Sequence, residues 1–187
     1  MSWEANFTEL GGVEPVRGDK LVPMPEEEIG RLERQLNIRL PEAYRRFLAT
    51  YGSSAFGRDV VFRPARDLPK QLARRGRGLF GFFYGGEHDD LYSLARTVRV
   101  FSGRMPESII PIGGDGGGNQ ICLGINGTER GKVYYWDHEN EWDEEDYLED
   151  YGEPMPPEVK FQNLHLVAES FEDFLNRLEV ADPNSQS

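Results

Sequence analysis

Apolar residues recur along this chain with two different periods. In "PEEEIGRLERQLNI", Ile29, Leu32 and Leu36 fall on one helical face. Pro25 suits the first turn, and Glu26, Glu27 and Glu28 favour the positive end of the helix dipole. In "LPEAYRRFLATYGSS", Pro41 opens a second helix, Tyr44, Phe47, Leu48 and Tyr51 form its buried stripe, and Gly52 closes it. The period then shortens. "DVVFRP" and "GLFGFFYG" predict strands, and "DDLYSLARTVRVFSG" predicts a helix begun by an Asp cap. "SIIPIGG", "NQICLGI" and "GKVYYWDHE" predict three successive strands, in which Tyr134, Tyr135 and Trp136 alternate between core and outward face. "FQNLHLVA" predicts a further short strand. In "SFEDFLNRL", Ser170 and Asp173 make a capping box, and Phe171, Phe174, Leu175 and Leu178 supply the apolar face of a last helix.

Helices first, then strands, then a closing helix predict an α+β domain with helices packed on a mostly antiparallel sheet. Residues 1–24 carry few periodic apolar positions and read as an irregular arm. Residues 25–180 read as a single domain, and "ADPNSQS" over 181–187 reads as a disordered tail. The 187-residue length suits one such domain.

Composition narrows the function. No apolar run approaches the roughly 20 residues that cross a bilayer, and the first residues lack the pattern of a signal peptide. The single cysteine, Cys122, rules out an internal disulfide and lies in an apolar run, where a buried inert thiol is expected. These features predict a cytoplasmic protein without a membrane partner. A formal net charge of −12 disfavours nucleic acid and favours a partner with a basic surface. Charge is uneven: Arg58 to Arg104 is basic, and 137–158 is acidic without any Lys or Arg. Within the basic part, Arg74, Arg75 and Arg77 beside Gly76 and Gly78 read as a mobile loop in the arginine-rich stretch 63–77.

"PIGGDGGGNQICLGI" places five glycines at 113–118, interrupted by Asp115. A phosphate loop needs backbone N–H groups at a helix N-terminus, and the Walker type needs Lys before Ser or Thr. Here Asn119 and Gln120 follow, and then a strand. The segment reads instead as a structural turn between strands, built by Gly113, Asp115, Gly117, Gly118 and Asn119.

These residues also carry a resemblance. "LPEAYRRFLATYG", "RMPESIIPIGGDGGGNQICLGI", "GKVYYWDHENE" and "VAESFEDFLNRL", in this order, resemble the SUKH superfamily, in the branch named after the yeast cell-wall assembly regulator. Pro111, Ile112, Gly113, Asp115, Gly117, Gly118 and Asn119 match one family element, and Gly131 through Glu139 match another. The resemblance implies helices on a twisted, mostly antiparallel sheet and no shared catalytic activity. It implies an immunity protein that neutralises a cognate toxin, often a nuclease, as in bacterial members. The alternative it leaves open is a regulatory scaffold for an endogenous partner, as in fungal members.

The acidic segment "WDHENEWDEEDYLEDYGEP" reads either as a solvated charged loop or as the candidate interface. Asp137, Glu139, Glu141, Asp143, Glu144 and Asp146 are the expected charge donors, and Trp142 and Tyr147 the expected anchors. Solubility alone does not require aromatics spaced among acids, whereas Trp and Tyr dominate binding hot spots. No metal or cofactor is expected: "DHE" neighbours on a strand point to opposite faces, and no His or Cys pair has ligand spacing. His88, His138 and His165 sit in no nucleophile motif, so no enzyme is expected. Both a monomer and a homodimer fit the sequence.

Overall fold

The computed structural model describes residues 3–182. Residues 183–187 of the expected tail lie outside the described residues. In chain order the elements are α1 (Glu4–Glu9), β1 (Val13–Pro15), α2 (Glu26–Leu36), α3 (Glu42–Tyr51), β2 (Ser54–Phe56), β3 (Val60–Phe62), β4 (Gly78–Phe80) and β5 (Phe82–Phe83). There follow α4 (Leu94–Val100), β6 (Ile109–Gly114), β7 (Gln120–Gly124), β8 (Val133–Trp136), α5 (Glu144–Tyr151), β9 (Leu164–Ala168), α6 (Phe171–Asn176) and β10 (Leu178–Val180).

Seven strands pair antiparallel in the order β1-β2-β5-β6-β7-β8-β9, and β10-β3-β4 form a second antiparallel sheet. The expected α+β architecture is present. Side-chain alternation divides the large sheet. Ile110, Ile112, Ile121, Leu123, Val133 and Tyr135 join the main core with the helices. Ile109, Cys122, Tyr134 and Trp136 face the other way, into a smaller cluster sealed by Met105, Phe101, Leu164 and Leu166. Both faces are therefore covered, and Trp136 is fully buried although it points away from the helices. Burial pushes the Cys122 thiol well above its ordinary pKa, as expected of an inert core cysteine.

Four sequence expectations change. The stretch expected as an irregular arm folds. Trp3, Phe7 and Leu10 of the α1 region enter the main core, and β1 pairs with β2 in the register Val13↔Phe56. The Asn6 side chain donates to the Leu175 and Leu178 carbonyls at 3.2 and 3.0 Å, fastening this segment to the far end of the chain. "GLFGFFYG" is two strands in two sheets, because Gly81 donates its N–H to Gly114 instead of continuing β4. In "DDLYSLARTVRVFSG", Asp89 caps only a 3-10 turn, and the Ser93 hydroxyl caps α4. The last helix ends at Asn176, so Leu178 packs from β10 and not from a helical face. Except for the local Asp89 and Ser93 caps, the deciding contact is distant in sequence.

Candidate functional site

The glycine bend closes the β6–β7 hairpin and joins two adjacent antiparallel strands, but Gly113, expected in the turn, lies within β6 and pairs with Ile121. Asp115 organises it. One carboxylate oxygen accepts from the Gly117 N–H at 2.7 Å, and the other accepts from Asn119 Nδ2 at 2.9 Å and Tyr135 OH at 2.6 Å. Asn119 Oδ1 in turn accepts from the His138 backbone N–H at 3.1 Å and ring Nδ1 at 2.8 Å. The ring proton therefore sits on Nδ1. Burial and the Asp115 carboxylate raise the Tyr135 pKa, so its hydroxyl stays a donor. The glycines have different reasons to be there. Gly118 takes φ 112, in the left-handed region. Gly113 lies within β6, where a Cβ would meet the Phe82 carbonyl oxygen at 2.3 Å. Gly117 has ordinary space around its Cβ position.

The hairpin network leads directly into the acidic segment, because His138 follows Asp137 at the end of β8. Asp137 is 1 % exposed. Its carboxylate accepts from the Glu139 N–H at 3.1 Å and from Asn140 Nδ2 at 2.5 Å, capping a 3-10 turn. It lies inside the molecule and is not a surface charge donor, which corrects that part of the candidate set. Glu139 is exposed. Glu141 is half-buried and receives the Arg104 guanidinium through two bonds at 2.8 and 2.6 Å. Arg104 also lies over Phe101, 4.6 Å from its ring centroid, and 5.3 Å from that of Trp136. Glu141 thus holds a cover over the small cluster.

Asp143 caps α5, its carboxylate accepting from the Glu145 and Asp146 N–H groups at 2.8 and 3.4 Å. Acids in the first turn then face the positive end of the helix dipole. Glu144 accepts from Lys160 Nζ at 2.9 Å, and that ammonium also donates to the Gly103 carbonyl at 2.5 Å. No residue of α5 is buried, and Leu148 and Tyr151 are exposed. Along the helix, Tyr147 and Tyr151 stack with centroids 4.4 Å apart, and Trp142 meets them edge-on at 5.6 and 5.7 Å. The sequence places Trp142 and Tyr147 together but does not single out Tyr151. Its i, i+4 relation to Tyr147 was the available signal, and it becomes legible once the acidic run is known to be helical.

The arrangement is an exposed helix bearing Glu145, Asp146, Glu149 and Asp150 beside a mutually packed aromatic trio. It offers docking and electrostatic attraction. No group here is paired as a nucleophile with a base, and among the described residues no three His, Cys, Asp or Glu side chains are grouped to hold a metal ion. Among the described residues, no helix is long and apolar enough to cross a membrane. Of the basic stretch, only Arg104 is ion-paired to the acidic segment among the described residues. Arg75 and Arg77 pair with Asp182 and Glu179 of the C-terminal region.

Two comparisons with known proteins bear on this geometry. The model of the SMI1 / KNR4 family (SUKH-1) matches residues 23–177, most of the chain. An SPbeta prophage-derived uncharacterized protein, YokK, of Bacillus subtilis (strain 168) is 30 % identical over 158 residues, covering 80 % of this chain and 71 % of that protein.

Proposed function

The chain belongs to the SMI1 / KNR4 family (SUKH-1), and from that premise we propose that it is a non-catalytic immunity protein acting in the cytoplasm against a cognate toxin. The family includes immunity proteins, and its members typically act by binding partner proteins. The observation that carries the reading is α5: a helix with no buried residue that keeps an ordered Trp142–Tyr147–Tyr151 cluster among acids. A half-exposed aromatic surface of this kind, with Tyr151 exposed and charge around it, belongs at a protein interface. The acids attract a basic cleft such as that of a nuclease, and the aromatics hold it, so the toxin is occluded without turnover.

The working interface comprises Glu139, Glu145, Asp146, Glu149 and Asp150 as free charges, with Trp142, Tyr147 and Tyr151 as anchors. Asp143 and Glu144 shape it through the cap and the Lys160 bond. The test is affinity capture from the native host, followed by co-expression of the captured protein with this chain. A partner that is toxic alone, rescued by the wild type and not by a Trp142→Ala/Tyr151→Ala double variant, is the expected result. Capture of a non-toxic endogenous protein through the same helix would replace immunity by a regulatory scaffold. Capture and rescue unaffected by the double variant would remove α5 from the interface.

A further inference from the structure

The arginine turn and the small sheet enclose a feature that the immunity reading does not use. A cavity of about 410 Å³ lies over the sheet β10-β3-β4. Its floor is apolar at Val61 and Leu79, paired neighbours across β3 and β4, and Glu179 of β10 stands beside Val61 on the same face. The turn Arg74–Arg77 lines the opposite side. Arg74 and Arg77 exchange backbone bonds at 2.8 and 3.0 Å, and Arg75 (φ 52) and Gly76 (φ 76) between them are both left-handed, the geometry of a type I′ turn. The stretch expected as a mobile loop is therefore a hydrogen-bonded turn. Two ion pairs tie it across the sheet, Arg77 with Glu179 and Arg75 with Asp182.

Those four charges offset one another. The Asp115 carboxylate, also on the wall, is engaged by Gly117, Asn119 and Tyr135. Two lining side chains of opposite sign have no ion pair among the described residues: the Arg74 guanidinium and the Asp59 carboxylate. One cation, one anion and an apolar floor are the complement of a zwitterion with apolar side chains. The volume lies within the roughly 300–1,000 Å³ of small-molecule sites. A neutral apolar ligand would strip water from both charges without replacing it, and a multiply charged anion would lie against Asp59 and its acidic neighbours. We propose that this cavity binds a short zwitterionic peptide with apolar side chains, its carboxylate taken by Arg74 and its ammonium by Asp59. A guanidinium fork suits a terminal carboxylate through two parallel bonds.

The test titrates L-leucyl-L-leucine into the full chain, read by calorimetry and by amide NMR shifts. One saturable site is expected, with shifts centred on Val61, Arg74, Leu79 and Val180. N-acetyl-leucyl-leucinamide, which lacks both charges, is expected to bind at least about tenfold more weakly, as are Arg74→Gln and Asp59→Asn with the free dipeptide. Both positions are exposed, and an unchanged unfolding midpoint certifies the fold of each variant. Leu79→Trp, which fills the floor, is expected to abolish binding by a steric route. Lack of saturation by about 10 mM, equal affinity for the blocked peptide, or shifts centred on α5 would each overturn the proposal.

Discussion

A methyl group on Gly113 would sit 2.3 Å from the Phe82 carbonyl oxygen, in the backbone of the neighbouring strand. Backbone cannot step aside as a side-chain end can, so Gly113→Ala is expected to cost about 2–3 kcal/mol, the upper range for overpacking. Thermal unfolding reads this as a fall of roughly 5–10 °C in the midpoint. Gly117→Ala, where the nearest contact is an ordinary 3.4 Å to the Asp115 side chain, is expected within about 0.5 kcal/mol of wild type. Equal effects at both positions would refute the close-approach account. A second residue-scale prediction concerns pH. Burial lowers the His165 pKa below 6.5 against a weaker opposing pull from Asp137. As pH falls through 6.5 the unfolded chain takes up the proton first, so this group lowers stability from there down to its folded pKa. Unfolding midpoints of wild type and His165→Gln are expected to diverge below 6.5, with the variant losing less. Glu33 acts lower down. Burial alone would raise its pKa, but the Arg45 guanidinium and the Leu40 N–H bring it below 4.5, so its contribution disappears as pH falls beneath that value. Asp137 shows what single residues conceal. In a run of acids all carboxylates look alike in sequence, and only the fold shows that this one is buried against the Glu139 N–H and the Asn140 side chain while Glu139 and Glu145 are exposed.

At the scale of elements, legibility follows length and locality. α2, α3 and the β6–β7–β8 meander were readable because each carries its own periodicity or turn chemistry. α1 was not, although Trp3, Phe7 and Leu10 already stand at helical spacing. A six-residue helix is too short to persist on propensity, so its existence depends on a distant partner. That partner is the aromatic cluster in which Phe7 meets Phe47, Tyr51 and Phe56 with centroids 5.0–6.4 Å apart. Phe7→Ala is therefore expected to cost about 3–5 kcal/mol, as for any buried phenylalanine, where a true irregular arm would show almost no effect. Denaturant unfolding measures the difference. α5 behaves in the opposite way, held by its own cap and the Glu144–Lys160 bond, with no buried residue of its own. Asp143→Ala removes its cap, worth about 0.5–2 kcal/mol. Amide exchange across 144–151 is expected to accelerate while the global midpoint stays unchanged, because the helix opens as a local unit.

For the whole molecule, the candidate interface was legible as a composition and not as a surface. The acids and aromatics were visible in the chain, but a helix was needed to stack Tyr147 on Tyr151 and to turn Asp146, Glu149 and Asp150 outward. That division separates two parts of binding. Free acids act at a distance, through a field that salt screens over about 8 Å at physiological ionic strength. Aromatic anchors act only on contact. Reversing Asp146, Glu149 and Asp150 to Lys should therefore slow association with the proposed partner more than tenfold at low salt, since steering can raise on-rates by about 10–10³. The gap should narrow as salt rises, until the two proteins associate at similar rates. Trp142→Ala should leave association nearly intact and speed dissociation, because contact energy is lost after docking and not before it. Stopped-flow kinetics across an ionic-strength series resolves both effects. An association rate indifferent to the triple reversal at low salt would mean that the partner approaches another face, and α5 would then be a solubilising helix with an unused aromatic cluster.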